Sequence, residues 1–283
     1  MRKLVNMALP ALCGVCALLA LVILAGIVAA IATRGLPAIS TNFLLHEMKE
    51  AGVSGGILYN LLGTLLLIAT GSLVAVPIAV ALALVRCVYV TSPTKKRVTT
   101  LWLYLLNGTP SILFGIFGFI LFVKVLGWGK SWLAGGILLG VMMIPTMAVA
   151  LIDRIESIPR RYIEAAAGLG LSQRQIIWSV LLPQSAGSLL TGSFLGLARA
   201  AGETAPIMFT ATIFAGATLP SGIKDSPVLT LPYHIFILAQ DSFDPAASSR
   251  LWGAALVLLA LVFGLSLLAL PLRWRSHEEA RND

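Results

Sequence analysis

The chain has 283 residues, 58% of them hydrophobic and 11% charged, with a mean hydropathy of +0.93 and a formal net charge of +8. Soluble domains carry about 25% charged residues, so this composition excludes a soluble globular protein and specifies a polytopic membrane protein. The basic excess does not indicate a nucleic-acid partner, because the lysines and arginines fall in short loops between apolar stretches, where they set orientation in a bilayer.

Six apolar stretches follow one another, at about 8–32, 57–85, 98–123, 131–152, 189–213 and 251–272. Each reaches the ~20 residues needed to cross a hydrocarbon core of ~30 Å. The first opens with Met1-Arg2-Lys3 and carries Ala30-Ile31-Ala32, which imitates a signal-peptide cleavage site. Its apolar run exceeds the ~7–15 residues of a signal h-region, so it is read as an uncleaved first span. Cys13 and Cys16 within it, and Cys87 alone further on, read as small apolar filler, with no second pair to complete a zinc site.

With the N-terminus inside, 13 of the 20 lysines and arginines fall on the cytoplasmic side and 6 outside, with Arg199 in the membrane. That bias predicts cytoplasmic N- and C-termini. Trp102, Trp128, Trp132, Trp252 and Trp274 lie near span ends, as an interfacial belt requires. No repeat, soluble domain or second folded unit is apparent, so residues 1–283 read as one transmembrane domain.

Two connections exceed a turn. The cytoplasmic one, about 153–187, contains SIPRRYIEAAAGLGLSQRQIIWSVLLPQSAG from Ser157 to Gly187. Pro159 suits a first helical turn and Gly170 a left-handed C′ position. Ser172 with Gln175 forms a capping box for a second short helix, which Pro183 ends or bends. The segment is therefore a helix–turn–helix under the membrane, with Ala165, Ala166 and Ala167 offering a flat knob to a partner's groove. The outer connection, about 214–250, holds the apolar but short Leu231–Gln240, which suits an interfacial or re-entrant helix. Asp244-Pro245 reads as an N-cap with proline at N1. His46 and His234 fall outside and read as surface histidines.

The fifth stretch carries ARAAGETAP, Ala198 to Pro206. An arginine or aspartate at a membrane helix centre costs about 2.5–3.5 kcal/mol, and glutamate should cost similarly. Arg199 and Glu203 sit at i and i+4, so they can pair, but pairing does not explain why either charge is there. A guanidinium fork suits oxyanions such as phosphate. A neighbouring carboxylate weakens that binding, as a conduction path requires. The structural alternative is a salt bridge that orients the helix. Ser188, Gly192, Gly196, Ala200 and Thr204 form a small-residue stripe that predicts a close partner helix, and Arg199 and Glu203, flanking it, are expected near a subunit interface. Pro206 predicts a kink just above the pair.

Glu164-Ala165-Ala166, Gly170, Val180, Leu182 and Pro183 together resemble the EAA loop of ABC importer permeases, E-A-A-x3-G-x9-I-x-L-P, with Val180 in the isoleucine position. The RAxGETAP stretch around Arg199, Glu203 and Thr204 is similar to the phosphate-specific branch of that family, PstA-type subunits in particular. Asn60 to Pro77, Gly108-Thr109-Pro110-Ser111 at a bend in the third span, and Leu231-Pro232 agree.

The resemblance implies an all-α type I ABC importer permease fold of about six transmembrane helices with a cytoplasmic coupling helix. It implies that Arg199, Glu203 and Thr204 line the substrate path, and that Glu164, Ala165, Ala166, Gly170, Leu182 and Pro183 couple to the ATPase. The implied partners are a second, PstC-type permease, two PstB-type ABC ATPases and an external PstS-type phosphate-binding protein. ATP and Mg would sit on the ATPase, with no cofactor on this chain.

Gly129-Lys130-Ser131 ends like a Walker A motif, but Lys124 stands where the motif needs glycine. The family often has an acidic residue after the second span, where this chain reads Leu84-Val85-Arg86-Cys87. Phosphonate, molybdate and sulfate remain alternative cargoes. A channel or ion-coupled carrier would not need the EAA loop. A membrane enzyme is disfavoured because His46, His234 and His277 lie in loops or tails, with no His/Asp/Ser group or metal spacing.

Overall fold

The computed structural model describes residues 2–279 apart from 215, 217, 218 and 242, with side-chain surroundings from residue 12 to 267 except residue 51. The side chains of Arg2, Lys3, Arg273, Trp274, Arg275 and His277, and Arg281 altogether, lie outside the described set.

Twelve α-helices follow in order among the described residues. Five stretches are long and apolar enough to cross a membrane: Leu12–Ala38, Leu58–Tyr89, Trp132–Ser157, Gln173–Gly202 and Pro245–Leu267. The expected third span is an elbow, α4 (Pro93–Gly108) and α5 (Ser111–Gly118), the latter prolonged by a π-helical stretch to Val125. Its two arms meet at 90°. Pro110 explains the break, since it cannot continue the donor ladder and biases Thr109 away from helix.

The elbow still connects opposite ends of the bundle. At its start, Thr100 binds Arg86 at the end of the second span. Arg86 in turn pairs with Glu156 at the end of α6 (Trp132–Ser157). Beyond its end, Trp128 accepts from the amide of Asp225 in the outer loop. The elbow therefore makes one crossing, and the path has six.

The core is the face between α3 (Leu58–Leu84) and α6. On α3, Leu67, Gly71, Ala75, Ala79 and Ala83 recur every fourth residue, and all are buried. On α6, a Cβ added to Gly140 would meet the Gly71 carbonyl oxygen at 2.8 Å, and one added to Gly136 would meet Thr70 at 2.6 Å. Without a hydrophobic drive between helices in lipid, such close backbone approach supplies the attraction. α1 (Arg2–Gly35) lies at the rim, packed on α12 (Pro245–Glu279). Its residues Leu12 to Leu24 are exposed, as lipid-facing side chains are.

The outer end is closed by α2 (Thr41–Leu45), a two-stranded hairpin of β1 (Met48–Lys49) and β2 (Ser54–Gly55), and α11 (Leu231–Gln240). Phe43, Ile57, Leu231 and Ala254 form its small core. α11 is the short helix expected in the outer loop, anchored where its first amide donates to Thr64 Oγ1 at 2.9 Å. Asp244 caps α12, its Oδ1 accepting from the Ala246 amide at 2.9 Å. His46 is exposed as expected, but His234 is not a surface histidine. It is 5% exposed, under the hairpin, where a Cβ at Gly52 would strike its ring.

At the other end, α7 (Arg160–Gly168) is the first expected loop helix, ended by Gly170 at φ +79°. The capping box of Ser172 and Gln175 opens α8 (Gln173–Ile176). The second loop helix is not separate, however. It runs through a π-helical stretch, Ile177–Leu181, into α9 (Leu182–Gly202). Pro183 does not end the helix but sits in the first turn of α9, directly after the π stretch. The fifth span therefore begins well before residue 189.

Candidate functional site

The third and fifth spans break at facing positions. α9 ends at Gly202, Glu203 is extended, and α10 (Ala205–Thr210) begins anew with Pro206 in its first turn. Pro206 thus opens a second helix and does not kink a continuous one. The elbow breaks at Gly108–Pro110. The two breaks are locked because Gly115 on α5 lies against the carbonyl of Ala205 and the Cα of Pro206; an added Cβ would meet them at 2.9 and 3.1 Å.

Arg199 spans the gap. Its Nη1 donates to Asn107 Oδ1 at 2.6 Å, and its Nη2 to the Asn107 carbonyl at 3.4 Å. Thr146 Oγ1 on α6 donates to the same Oδ1 at 3.1 Å. The expected pair with Glu203 is present, but Arg199 Nε stands 3.6 Å from Glu203 Oε1. That is an ion pair without a hydrogen bond, so Asn107 holds the guanidinium more closely than Glu203 does. The side chains are 35% exposed for Arg199 and 16% for Glu203, so part of the fork remains open. Asn107 accepts both bonds through Oδ1, which leaves its Nδ2 as a further donor. Thr204, the third expected path residue, lies half-buried at the N-cap of α10.

The depth is set by Thr146, which is 14 residues from Trp132 and 11 from Ser157 in α6. At 1.5 Å per residue this is about 21 Å from one end and about 16 Å from the other. The charges are near mid-depth, as the sequence suggests, with Arg199 in the last turn of α9 and Glu203 just past its end. Non-helical backbone at that depth is tolerated where it is buried in protein or lines a water-filled cavity.

The stripe's partner is internal. A Cβ on Gly192 would meet Ala150 at 3.1 Å, and one on Gly196 would meet Met143 at 3.4 Å, both on α6. The stripe therefore seats α9 on α6 of its own chain.

The second piece of the fifth span, α10, is held at its far end. Lys130 Nζ donates to the carbonyls of Met208 at 2.9 Å and Thr212 at 3.1 Å, at the end of α10. Burial lowers its pKa from the ordinary lysine value. The apparent Walker fragment is thus a helix-end cap.

At the α7 knob, Glu164, Ala165, Ala167 and Gly170 are exposed and Leu169 is 82% exposed, while Ala166 is buried against the body. Leu182 is half-buried and Pro183 exposed at the start of α9. One continuous rod, Gln173 to Gly202, runs from the turn that follows the knob to the gap. Arg86, at the end of the second span, has a side chain only 10% exposed and binds Glu156 at 2.6 Å. Cys13, Cys16 and Cys87 are free thiols. No group of three or more His, Cys, Asp or Glu side chains able to hold a metal occurs among the described residues.

Sequence reasoning missed Asn107. The quoted bend began one residue later, and only the contact across 92 residues reveals its role.

Residues 75–272 match the family described as binding-protein-dependent transport system inner membrane component. The chain is 30% identical over 227 residues to the phosphate transport system permease protein PstA of Haemophilus influenzae, covering 80% of this chain and 79% of that one. It is 28% identical to the probable ABC transporter permease protein YqgI of Bacillus subtilis, covering 94% of each. Among solved structures, an inward-facing MetNI methionine ABC transporter shares the fold, with TM-score 0.57 and 18% identity over 78% of this chain and 94% of that one. Six crossings, an exposed EAA helix joined by one rod to a break at mid-depth, and a family match from the second span to the last agree: the chain belongs to the inner-membrane components of binding-protein-dependent, ABC-type transport systems.

Proposed function

We propose that this chain is the PstA-type permease of an ATP-driven phosphate importer, and that Arg199, Glu203 and Thr204 line its path. The observation that carries this reading is the Arg199 guanidinium at mid-depth, held by Asn107 between two facing helix breaks and still partly open. An incoming phosphate meets the free edge of Arg199 and the Asn107 Nδ2 donor. Glu203, paired loosely, shields the cation when the site is empty and limits how tightly cargo is held. The relatives named as phosphate permeases support the choice of cargo.

Glu164, Ala165, Ala166 and Gly170 dock on a separate ATPase, with Leu182 and Pro183 at the root of the rod. ATP and Mg sit on that subunit. The rod carries its movement to Glu203, where the extended backbone lets α9 and α10 pivot. A second permease of the PstC type, two PstB-type ATPases and an external PstS-type phosphate-binding protein complete the assembly. It resides in the inner membrane with both termini cytoplasmic.

The test is ATP-dependent uptake of labelled phosphate into vesicles holding the full complex. Arg199→Gln abolishes uptake while assembly and ATP hydrolysis persist. Gly170→Asp loses the ATPase from the complex. Normal uptake by Arg199→Gln would reduce the pair to a structural salt bridge. Movement of another oxyanion in place of phosphate would overturn the cargo and leave the transporter.

A further inference from the structure

Beside the coupling helix lies a cavity of about 530 Å³ that transport does not use. It falls in the size range of ligand pockets, roughly 300–1,000 Å³. Its walls come from five places: the end of the second span at Cys87 and Val88, Lys96 on α4, the end of α6, Arg160 and Ile163 on α7, and Gln173 to Leu181. An occupant would touch both sides of the Pro159 turn from which the coupling helix hangs.

The lining has two halves. Ile155, Ile158, Ile176, Ile177 and Leu181 make a buried aliphatic wall. Lys96 and Arg160 supply positive charge. Glu156 is the cavity's one carboxylate, and Arg86 already occupies it at 2.6 Å. Neither Lys96 nor Arg160 has an ion-pair partner among the described residues. Lys95, Arg97, Arg161 and Arg174 are exposed on the same elements, outnumbering the exposed carboxylates Asp153 and Glu164 nearby. A free inorganic anion would not use the aliphatic wall, and a neutral lipid would not use the two cations.

We propose that this cavity binds one anionic phospholipid, its headgroup phosphate between Lys96 and Arg160 and an acyl chain along the aliphatic wall. Basic pockets between membrane helices take such headgroups. The lipid braces α7 against the ends of the second, third and fourth spans. The cytoplasmic position rests on the topology proposed above, but the binding does not.

The test is native mass spectrometry of the full complex titrated with phosphatidylglycerol or phosphatidylcholine. The wild type retains phosphatidylglycerol in preference. Lys96→Gln and Arg160→Gln each weaken retention about five-fold, the worth of one basic residue at an anionic surface. Lys96→Arg keeps it, and so does Lys95→Gln, which lies outside the cavity. Ile163→Trp fills the cavity without changing charge and also loses the lipid, which covers the case of a Lys96 variant that fails to assemble. Equal loss in Lys95→Gln and Lys96→Gln would reduce the site to a generic basic surface and overturn the proposal. So would retention of phosphatidylcholine to the same degree, or displacement of phosphatidylglycerol by millimolar inorganic phosphate. None of these readouts depends on the transported cargo.

Discussion

Asn107 is the side chain on which the proposed path turns. Its Oδ1 accepts from Arg199 at 2.6 Å and from Thr146 at 3.1 Å, so one amide ties the elbow, the fifth span and α6 together. A hydrogen bond to a charged group contributes about 1.5–3 kcal/mol. Asn107→Leu should therefore lower phosphate uptake roughly 10- to 100-fold with the complex intact. Asn107→Asp should also fail, for a different reason: it keeps the acceptor but places a second carboxylate beside Arg199. Measuring uptake in both variants separates positioning from charge, because a purely steric role would leave Asn107→Asp active.

At the scale of elements, the fifth span is a rod with a joint. α9 is seated on α6 by Gly192 and Gly196, whereas α10 is seated on α5 by Gly115 and capped by Lys130. Both pieces touch α6, but only α10 is also gripped by α5 and by Lys130, so the proposed pivot at Glu203–Thr204 joins two differently held pieces. The Lys130 ammonium meets two carbonyls at a helix C-terminus, which also favours a cation. Lys130→Met should leave those carbonyls unmet and lower the apparent thermal midpoint of the complex by several degrees, on a cost of about 1.5–3 kcal/mol. Lys130→Arg should restore part of it. An unchanged midpoint in Lys130→Met would mean that water replaces the cap.

Across the whole molecule, the outer cap carries a pH sensitivity that the transmembrane bundle does not need. Burial, with a smaller contribution from Arg250, pushes the His234 pKa down from 6.5 to about 4. Its Nε2 has no hydrogen-bond partner among the described residues. Between those two values the unfolded segment takes up a proton that the folded one refuses, so stability rises with pH through that window. It is fully present above about 6.5 and lost as pH falls toward 4, a loss of about 3 kcal/mol at most. Hydrogen exchange of residues 47–57, corrected for intrinsic rates, should speed up on going from pH 7.5 to 5. The acceleration should be absent in His234→Leu.

The order of crossings, the loop helix with its Gly170 terminator and the capping box that follows, the Asp244 cap and the mid-depth arginine were legible in the sequence. They rest on hydrophobic run length, turn chemistry and local spacing, which act over a few residues. Where the breaks fall was only half legible: Pro110 announced the elbow, and Pro206 announced a kink in the fifth span but not the full stop of α9 at Gly202. Pro183 does not end the helix, because the π-helical stretch before it carries the chain on into α9. Asn107 on Arg199, the burial of His234, the pairing of Arg86 with Glu156 and the seating of the glycine stripe on α6 were decided by tertiary structure alone. Each joins residues far apart in the chain, and a polar side chain in a low-dielectric interior is positioned by whichever distant partner satisfies it.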